Sequence, residues 1–499
     1  MFLYNGCMFT TINTPAVPRP VRPNLVLAIC CLSLLMISMD ATIVNVALPS
    51  IRRDLDASIS GLQWVIDAYT MVVASLLMFA GSMADRFGRR RIFQAGMSLF
   101  MLGSLLCSLA SGIHGLVAFR VVQALGATML NPVAMSIIVN TFTEPRARAR
   151  AIGIWGAVAG ISMALGPPIG GALTQSIGWR SIFWINLPIG AAAIVLAALH
   201  IPESKAPRAR RIDPLGQLLV ITALFSLTFA VIEGPRLHWE SAAVVGLFAL
   251  SLLALIGLVL YEPRRVDPLL DLRFFRSVPF SSAAAIAICS FSAFTGFLFL
   301  NALYLQEVRG LSAFHTGLCT LPLALATVIC SPLSGRMVGV YGTRPSLLLA
   351  GAAMALSALM LTQLAADSAL GLLLLTYVTF GIGFGLVNAP ITNTAVSGMP
   401  KAQAGLAAAV ASTSRQIGAS LGVAVAGTVV GTRVAAGTSF VEATHAFWWI
   451  MVGLGLAVVA LGLLSNSGWA RASSRRAALL MDDAAAADAG PAPLTGGAK

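Results

Sequence analysis

The chain is expected to fold as an all-α membrane protein, with two pseudo-symmetric six-helix halves and two accessory spans between them. Three observations predict this. Of 499 residues, 58% are hydrophobic and only 10% charged, against about 25% charged in an average soluble chain. Apolar runs long enough to cross a hydrocarbon core about 30 Å thick recur along the whole sequence. A stretch marked by glycine and arginine after the second run returns after the tenth.

The runs fall at 25–50, 61–83, 92–110, 114–139, 151–174, 182–201, 215–232, 241–261, 280–305, 313–334, 345–365, 369–390, 404–431 and 444–464. Residues 1–24 contain several prolines and no basic region at the very start, so they read as a cytoplasmic tail rather than a signal peptide. Residues 465–499 turn polar and alanine-rich and end in Gly and Pro, which predicts a disordered cytoplasmic tail. An even number of spans puts both termini on one side, and charge decides which. With the termini inside, the inner segments carry 24 of the 32 Lys and Arg residues and the outer loops carry 6. Basic residues concentrate on the cytoplasmic side of membrane proteins. The same loops account for the net charge of +13, so no nucleic-acid partner is expected. No two of the seven cysteines form a C-x-x-C pair, which predicts neither a disulfide framework nor a metal site.

The repeat fixes the domains. Gly81-Ser82-Met83-Ala84-Asp85-Arg86-Phe87-Gly88-Arg89-Arg90-Arg91 follows span 2, and Gly335-Arg336-Met337-Val338-Gly339-Val340-Tyr341-Gly342-Thr343-Arg344 follows span 10. The outer glycines are seven apart in both. Matching span 2 to span 10 makes 25–201 one six-helix half and 280–464 the other. Residues 202–279 become a linker holding the accessory spans 215–232 and 241–261. Internal repeats of this kind build many secondary transporters, with the site near mid-membrane between the halves.

Four ionisable residues fall inside spans: Asp40, Asp67, Arg120 and Arg415. A charge in hydrocarbon costs roughly 2.5–3.5 kcal/mol on insertion scales, so it marks a functional site by default. At about 1.5 Å per residue, Asp40 lies roughly 22 Å from the inner face, and Arg120 and Asp67 about 9 Å from the outer face. All three share one level. Asp40 and Arg120 therefore form either a structural pair pinning spans 1 and 4 or a proton site. Burial disfavours a carboxylate's charged form and a nearby cation favours it, and a group so balanced can exchange protons. Asp67 either lines a cavity or faces outer water. Arg415, near mid-membrane in span 13, needs a ligand, a carbonyl or Asp40 across a cavity. Gly166, Gly170 and Gly171 permit close helix approach, while Pro167 and Pro168 kink span 5.

These residues carry a resemblance. The stretch from Gly81 through Asp85, Arg86, Gly88 and Arg89 to Arg90 resembles the loop signature of the major facilitator superfamily. Met39-Asp40-Ala41-Thr42-Ile43-Val44-Asn45-Val46-Ala47-Leu48-Pro49 is similar to the first-span motif of its fourteen-spanner drug:proton antiporters of the EmrB/QacA type. Gly166-Pro167-Pro168-Ile169-Gly170-Gly171, preceded by Gly160, resembles the fifth-span motif that marks antiporters. Trp179-Arg180, Phe183-Trp184-Ile185-Asn186-Leu187-Pro188-Ile189-Gly190 and Arg415-Gln416 with Gly418 are also similar to that branch. Two departures stand out. Ala124 replaces the usual glycine after Gln123 in the fourth span. Gly339 and Val340 replace the Asp–Arg pair in the second loop signature.

The resemblance implies the major facilitator fold in a bacterial cytoplasmic membrane and a proton-coupled exporter of amphipathic drugs, antibiotics or secondary metabolites. Asp40 and Arg120 would couple protons, and Asp67, Gln123 and Arg415 would line the substrate cavity. Gly81, Asp85, Arg86, Gly88 and Arg89 would form a cytoplasmic gate. Partners would be the lipid bilayer, the small-molecule substrate and the proton, with room for a periplasmic adaptor. No cofactor is expected, the proton gradient being the energy source. The alternatives are a metabolite uptake symporter on the same scaffold and, more remotely, a polytopic membrane enzyme. The latter lacks H-E-x-x-H, G-x-S-x-G and G-x-x-x-x-G-K motifs.

Overall fold

The computed structural model of the chain describes residues 22–205, 213–265, 268–397 and 404–488. Fourteen helices in it are long and apolar enough to cross a membrane, and no strand occurs among the described residues. With no water to satisfy open backbone in a bilayer, a helical bundle closes its own hydrogen bonds.

The first half comprises α1 (Pro23–Asp54), α2 (Ile59–Phe87), α3 (Arg89–Ser108), α4 (Ile113–Thr141), α5 (Pro145–Ser176) and α6. Helix α6 joins two consecutive segments, Ser181–Trp184 and Asn186–His200. The accessory pair is α7 (Pro214–Leu237) and α8 (Ala242–Tyr261). The second half comprises α9 (Val278–Leu303, continued by a π turn Tyr304–Val308), α10 (Ala313–Tyr341), α11 (Thr343–Leu361), α12 (Leu370–Val396), α13 (Ala404–Ala435) and α14 (Phe440–Ser465). A last helix, α15, covers Gly468–Asp488.

The expected repeat recurs in the packing. Helix α1 packs on α5 as α9 packs on α13, and α4 packs on α2 and α3 as α12 packs on α10 and α11. The close contacts match in detail. A Cβ on Gly166 or Gly170 of α5 would collide with the Thr42 and Ile43 side chains of α1. One on Gly418 or Gly422 of α13 would meet the backbone of Ile288 or Ser292 of α9. Both hairpins of the repeat also turn on a left-handed glycine. Gly88, between α2 and α3, has φ +111°, and Gly342, between α10 and α11, has φ +78°. Glycine adopts that conformation without steric cost.

The halves meet along two seams, α5 on α10 and α2 on α13. In the first, a Cβ on Gly171 would strike the Ala313 carbonyl, and one on Gly317 would strike that of Pro167. In the second, Gln63 Nε2 of α2 donates to the Ala424 carbonyl of α13 at 2.8 Å and lies 3.3 Å from that of Val423. A third link joins α1 to α9, where Gln306 Nε2 donates to the Val46 carbonyl at 2.8 Å and Arg52 pairs with Glu307 at 2.7 Å. All of these lie toward the end carrying the α1–α2 turn. At the opposite end, a Cβ on Gly153 or Gly156 of α5, or on Gly335 or Gly339 of α10, would meet nothing within 4 Å. The close contacts between the halves thus gather at the end that carries the α1–α2 turn, around a cavity of about 960 Å³ lined by Ser50, Arg52, Gln306 and Glu307.

Helix α7 lies along the α2–α13 seam. Trp64 Nε1 of α2 donates to Glu233 Oε1 of α7 at 2.9 Å, and Thr428 Oγ1 of α13 donates to the Val231 carbonyl at 2.8 Å. Helix α8 packs on α7 and exposes Leu252, Leu253 and Val259.

One expectation is corrected. Of the tail predicted to be disordered from 465 onward, Gly468–Asp488 is helical. Ser467 accepts from the Ala470 N–H at 3.1 Å and caps the helix start. Alanine, read above as low complexity, is also the best helix former. Ala470 and Ala477 are buried, and the Val278 N–H donates to Ser473 Oγ at 3.0 Å. The tail expected before residue 22 and residues 489–499 lie outside the described residues.

The small-residue contacts give a stability prediction. A Cβ on Gly126 would run into the backbone of Phe100 and Gly96, whereas one on Gly246 meets nothing within 4 Å. Gly126→Val is expected to cost about 1–3 kcal/mol through overpacking. Gly246→Val should leave the melting temperature of the detergent-purified protein unchanged.

Candidate functional site

Five helices converge on one carboxylate. Asp40 of α1 is 1% exposed, as is Arg120 of α4. Arg120 NH1 donates to Asp40 Oδ2 at 2.7 Å and lies 2.6 Å from Gln123 Oε1. Arg120 Nε donates to the Val65 carbonyl of α2 at 3.1 Å, and the guanidinium stands 4.2 Å from the centre of the Tyr69 ring. Asp40 Oδ1 accepts from Gln123 Nε2 at 2.9 Å and from Asn186 Nδ2 of α6 at 3.2 Å. Ser104 Oγ of α3 accepts from the same two amides, at 2.8 and 3.2 Å.

The local sequence explains the convergence. Arg120 and Gln123 are three apart and share one face of α4. Gly103 lets α4 approach α3 at Gln123, since a Cβ there would overlap the Gln123 backbone. Ala124, which departs from the resembled motif, is fully buried in this packing. A buried charge is tolerable only when paired and hydrogen-bonded, and both ions here meet that condition. A carboxylate that gained a proton would release Arg120 from its counter-charge. Gln123 Oε1, the Val65 carbonyl and the Tyr69 face already stand around the guanidinium to hold it.

The depth argument placed Asp40 and Arg120 at one level, and they touch. Their setting differs from the expectation of a site between the halves, because the network lies wholly within the first half. The three residues expected to line a cavity are not brought together. Gln123 is fully buried in the network. Asp67 is fully buried on the α2–α13 seam. Arg415 is half-buried on α13 and donates from NH2 to Thr392 Oγ1 of α12 at 2.6 Å, while its buried Nε has no partner among the described residues. Span depth gives no angle around the helix axis, so it could not separate a cavity-facing carboxylate from one facing another helix.

The loop signature sits at the end opposite the α1–α2 turn. Asp85 Oδ1 pairs with Arg89 NH2 at 3.0 Å within the α2–α3 turn. Gly81 faces Pro132 of α4, and Arg86 is exposed beside the Phe87 ring. Sequence reasoning missed the group that anchors this turn. Glu203, just after α6, accepts from the Arg90 N–H at 3.1 Å and the Arg91 N–H at 3.3 Å. The Arg89 N–H donates to the Ser204 carbonyl at 2.9 Å. A carboxylate is favourable at a helix N-terminus. Gly88 is therefore constrained twice, because a Cβ there would lie 2.6 Å from Glu203 Oε1. Asn186 and Ser104 were also missed. Asn186 stood within a quoted motif, but neutral amides and hydroxyls give no insertion-cost signal of the kind that marks Asp40.

Two matching six-helix halves are the build of many secondary membrane transporters. The chain belongs to the major facilitator superfamily, whose family model matches residues 30–423. It is 40% identical over 405 residues to the multidrug resistance protein Stp of Mycobacterium tuberculosis, covering 81% of this chain and 75% of that one. It is 35% identical over 423 residues to the tetracenomycin C resistance and export protein of Streptomyces glaucescens, covering 85% and 78%. Among solved structures, the human organic anion transporter MFSD10 (TETRAN) matches with a TM-score of 0.60 at 15% identity, covering 89% of this chain and all of that one. That last likeness shows the fold.

The pair generates a prediction. Arg120→Met leaves Asp40 buried without its counter-charge and should cost about 3–5 kcal/mol. Adding Asp40→Asn should recover a large part of that loss. A double-mutant cycle on chemical unfolding in detergent measures the coupling, and additive losses would count against it.

Proposed function

We propose that the protein is a proton-coupled antiporter that exports amphipathic drugs or secondary metabolites by alternating access, with Asp40 as the proton-carrying group. The observation that carries this reading is the Asp40–Arg120–Gln123 network, sealed within a helical half and supplied with alternative partners for the arginine. The export and resistance functions of the relatives set the direction of transport. The excess of basic residues on one set of loops supports an orientation with both termini inside, and the bacterial relatives support a bacterial cytoplasmic membrane location. In that orientation the end where the halves touch faces outward, and an inward-open state would part the opposite end.

The cycle follows from linkage. Opening outward admits a proton to Asp40, and substrate leaves there. Return to the inward-open state exposes the group to the more alkaline cytoplasm, where it gives up the proton and substrate binds. Coupling requires that substrate and proton prefer different states, since a ligand shifts an equilibrium only by its differential affinity. The turn anchored by Glu203, with Asp85 and Arg89, serves as the cytoplasmic gate, and Arg86 is free to meet the other half on closure. Arg415, half-buried with an unpartnered nitrogen, is offered to substrate within the central cavity. Gly166, Pro167, Gly170 and Gly171 hold α5 tight against α1 and α10, so the outer seam stays closed to protons in this state. No bound cofactor enters the scheme, and the proton gradient drives it.

In everted membrane vesicles, acidifying the interior should drive uptake of a fluorescent amphipathic cation. Asp40→Asn should reduce that uptake at least tenfold per folded molecule, the amount of folded protein being measured alongside. Gradient-driven uptake that survives Asp40→Asn would overturn the assignment.

A further inference from the structure

Asp67 takes no part in the network just described, yet its burial is complete. It lies on α2 one turn inward from Gln63, whose amide closes α2 against α13. Oδ1 is 3.4 Å from Thr70 Oγ1, a hydroxyl that also lies 3.2 Å from the Ile66 carbonyl. Oδ2 is buried with no hydrogen-bond partner. From α13, the Ser420 hydroxyl, likewise buried, stands against the carboxyl group and makes no well-formed hydrogen bond among the described residues. No ion pair reaches Asp67 among the described residues.

Arg415 of α13, five residues inward of Ser420, donates to Thr392 of α12, and Arg433 is exposed at the outer end of that helix; the other charged groups on the surrounding elements are committed to one another. Arg120 of α4 and Asp40 of α1 pair with each other. Glu233 of α7 accepts from Trp64 and pairs with Arg236 at 3.6 Å. A void beside Ser420, lined by Met71, Leu224, Leu227, Ile417 and Leu421, holds about 10 Å³. That is at the lower limit for one water molecule, and its walls are mostly apolar. Neither a cation nor solvent compensates a charge on Asp67 here. An isolated carboxylate in such surroundings neutralises rather than remaining charged.

We infer that Asp67 is a second protonation site, and that its proton holds the α2–α13 seam closed. This rests on the antiport reading and deepens it. In the closed seam the neutral carboxyl group can donate its proton from Oδ2 to Ser420 Oγ, which satisfies both orphaned groups across the boundary between the halves. When α2 parts from α13, the group meets outer water, loses the proton to it and gains hydration as a carboxylate. Reclosure requires the proton back. Protons from outside therefore favour the inward-open conformation by a route separate from Asp40, in the direction that gradient-driven export needs. The sign is fixed by linkage: the closed seam binds the proton more tightly, so acid stabilises it and rising pH opens it.

The test uses full-length, cysteine-free protein in detergent, with spin labels on Ser60→Cys and Arg433→Cys at the outer ends of α2 and α13. Pulsed EPR distances are followed from acid to alkaline pH. In the parent protein, the separated population should grow as pH rises. Asp67→Asn, permanently neutral, should keep that population at least tenfold smaller at alkaline pH. Ser420→Ala, which removes the acceptor, should move the midpoint of opening to lower pH. Asp40→Asn should retain a pH-dependent opening. A pH response in Asp67→Asn equal to that of the parent would overturn the inference. Loss of gradient-driven uptake in Asp40→Asn vesicles would still stand in that case, so the two readings fail separately.

Discussion

A carboxylate and a guanidinium can share the interior of a helical bundle only if each satisfies the other. That constraint organises the first half of this protein. Asp40 draws Arg120 and Gln123 from α4 and Asn186 from α6, while Ser104 of α3 bridges the two amides. Val65 and Tyr69 of α2 complete the shell. Five helices must be placed correctly for one charge to be buried. The glycines of α3 and α4 then read as a requirement of the site, since Gly103 and Gly126 bring the two helices within reach. The reward for such a network is responsiveness as much as stability, because replacing a buried pair by apolar residues is often neutral or stabilising. A proton added at Asp40 redistributes every bond in the cluster.

The seams between the halves obey a different rule. Backbone meets backbone through Gly171 and Gly317 on one side, and a single amide, Gln63, reaches across on the other. Such contacts are close but carry few charges, so they can part without stranding an ion. The exceptions are informative. Arg52–Glu307 is half-exposed and can be solvated when broken. Asp67 is buried, and it can face outer water in one state only if it is neutral in the other. Helix α7 bridges both sides of that seam through Glu233 and Val231, which gives the accessory pair a place in the outer closure.

Much of this was legible in the sequence because hydrophobicity and cost are local properties. Fourteen apolar runs gave fourteen helices. Two glycines seven residues apart, twice, gave the repeat, and Gly88 and Gly342 share a left-handed turn. A charge in hydrocarbon marked Asp40 and Arg120, and helical rise put them at one depth. Rotation about the helix axis was not legible, so Asp67 and Gln123 were assigned to a cavity from which packing removes them. Glu203 was hidden because it follows a span as an ordinary polar residue, and only the fold brings it to the start of α3. The final helix was obscured by composition, although Ser467 and the alanines after it carry a capping and helix-forming signal.

The central claim is that Asp40 exchanges a proton against substrate. Proton release on substrate binding tests it most directly. Purified protein in weakly buffered detergent solution, mixed with a saturating amphipathic cation and a pH indicator, should release protons, and the release should disappear in Asp40→Asn. Binding of the cation at full occupancy with no proton released at any pH would contradict the account.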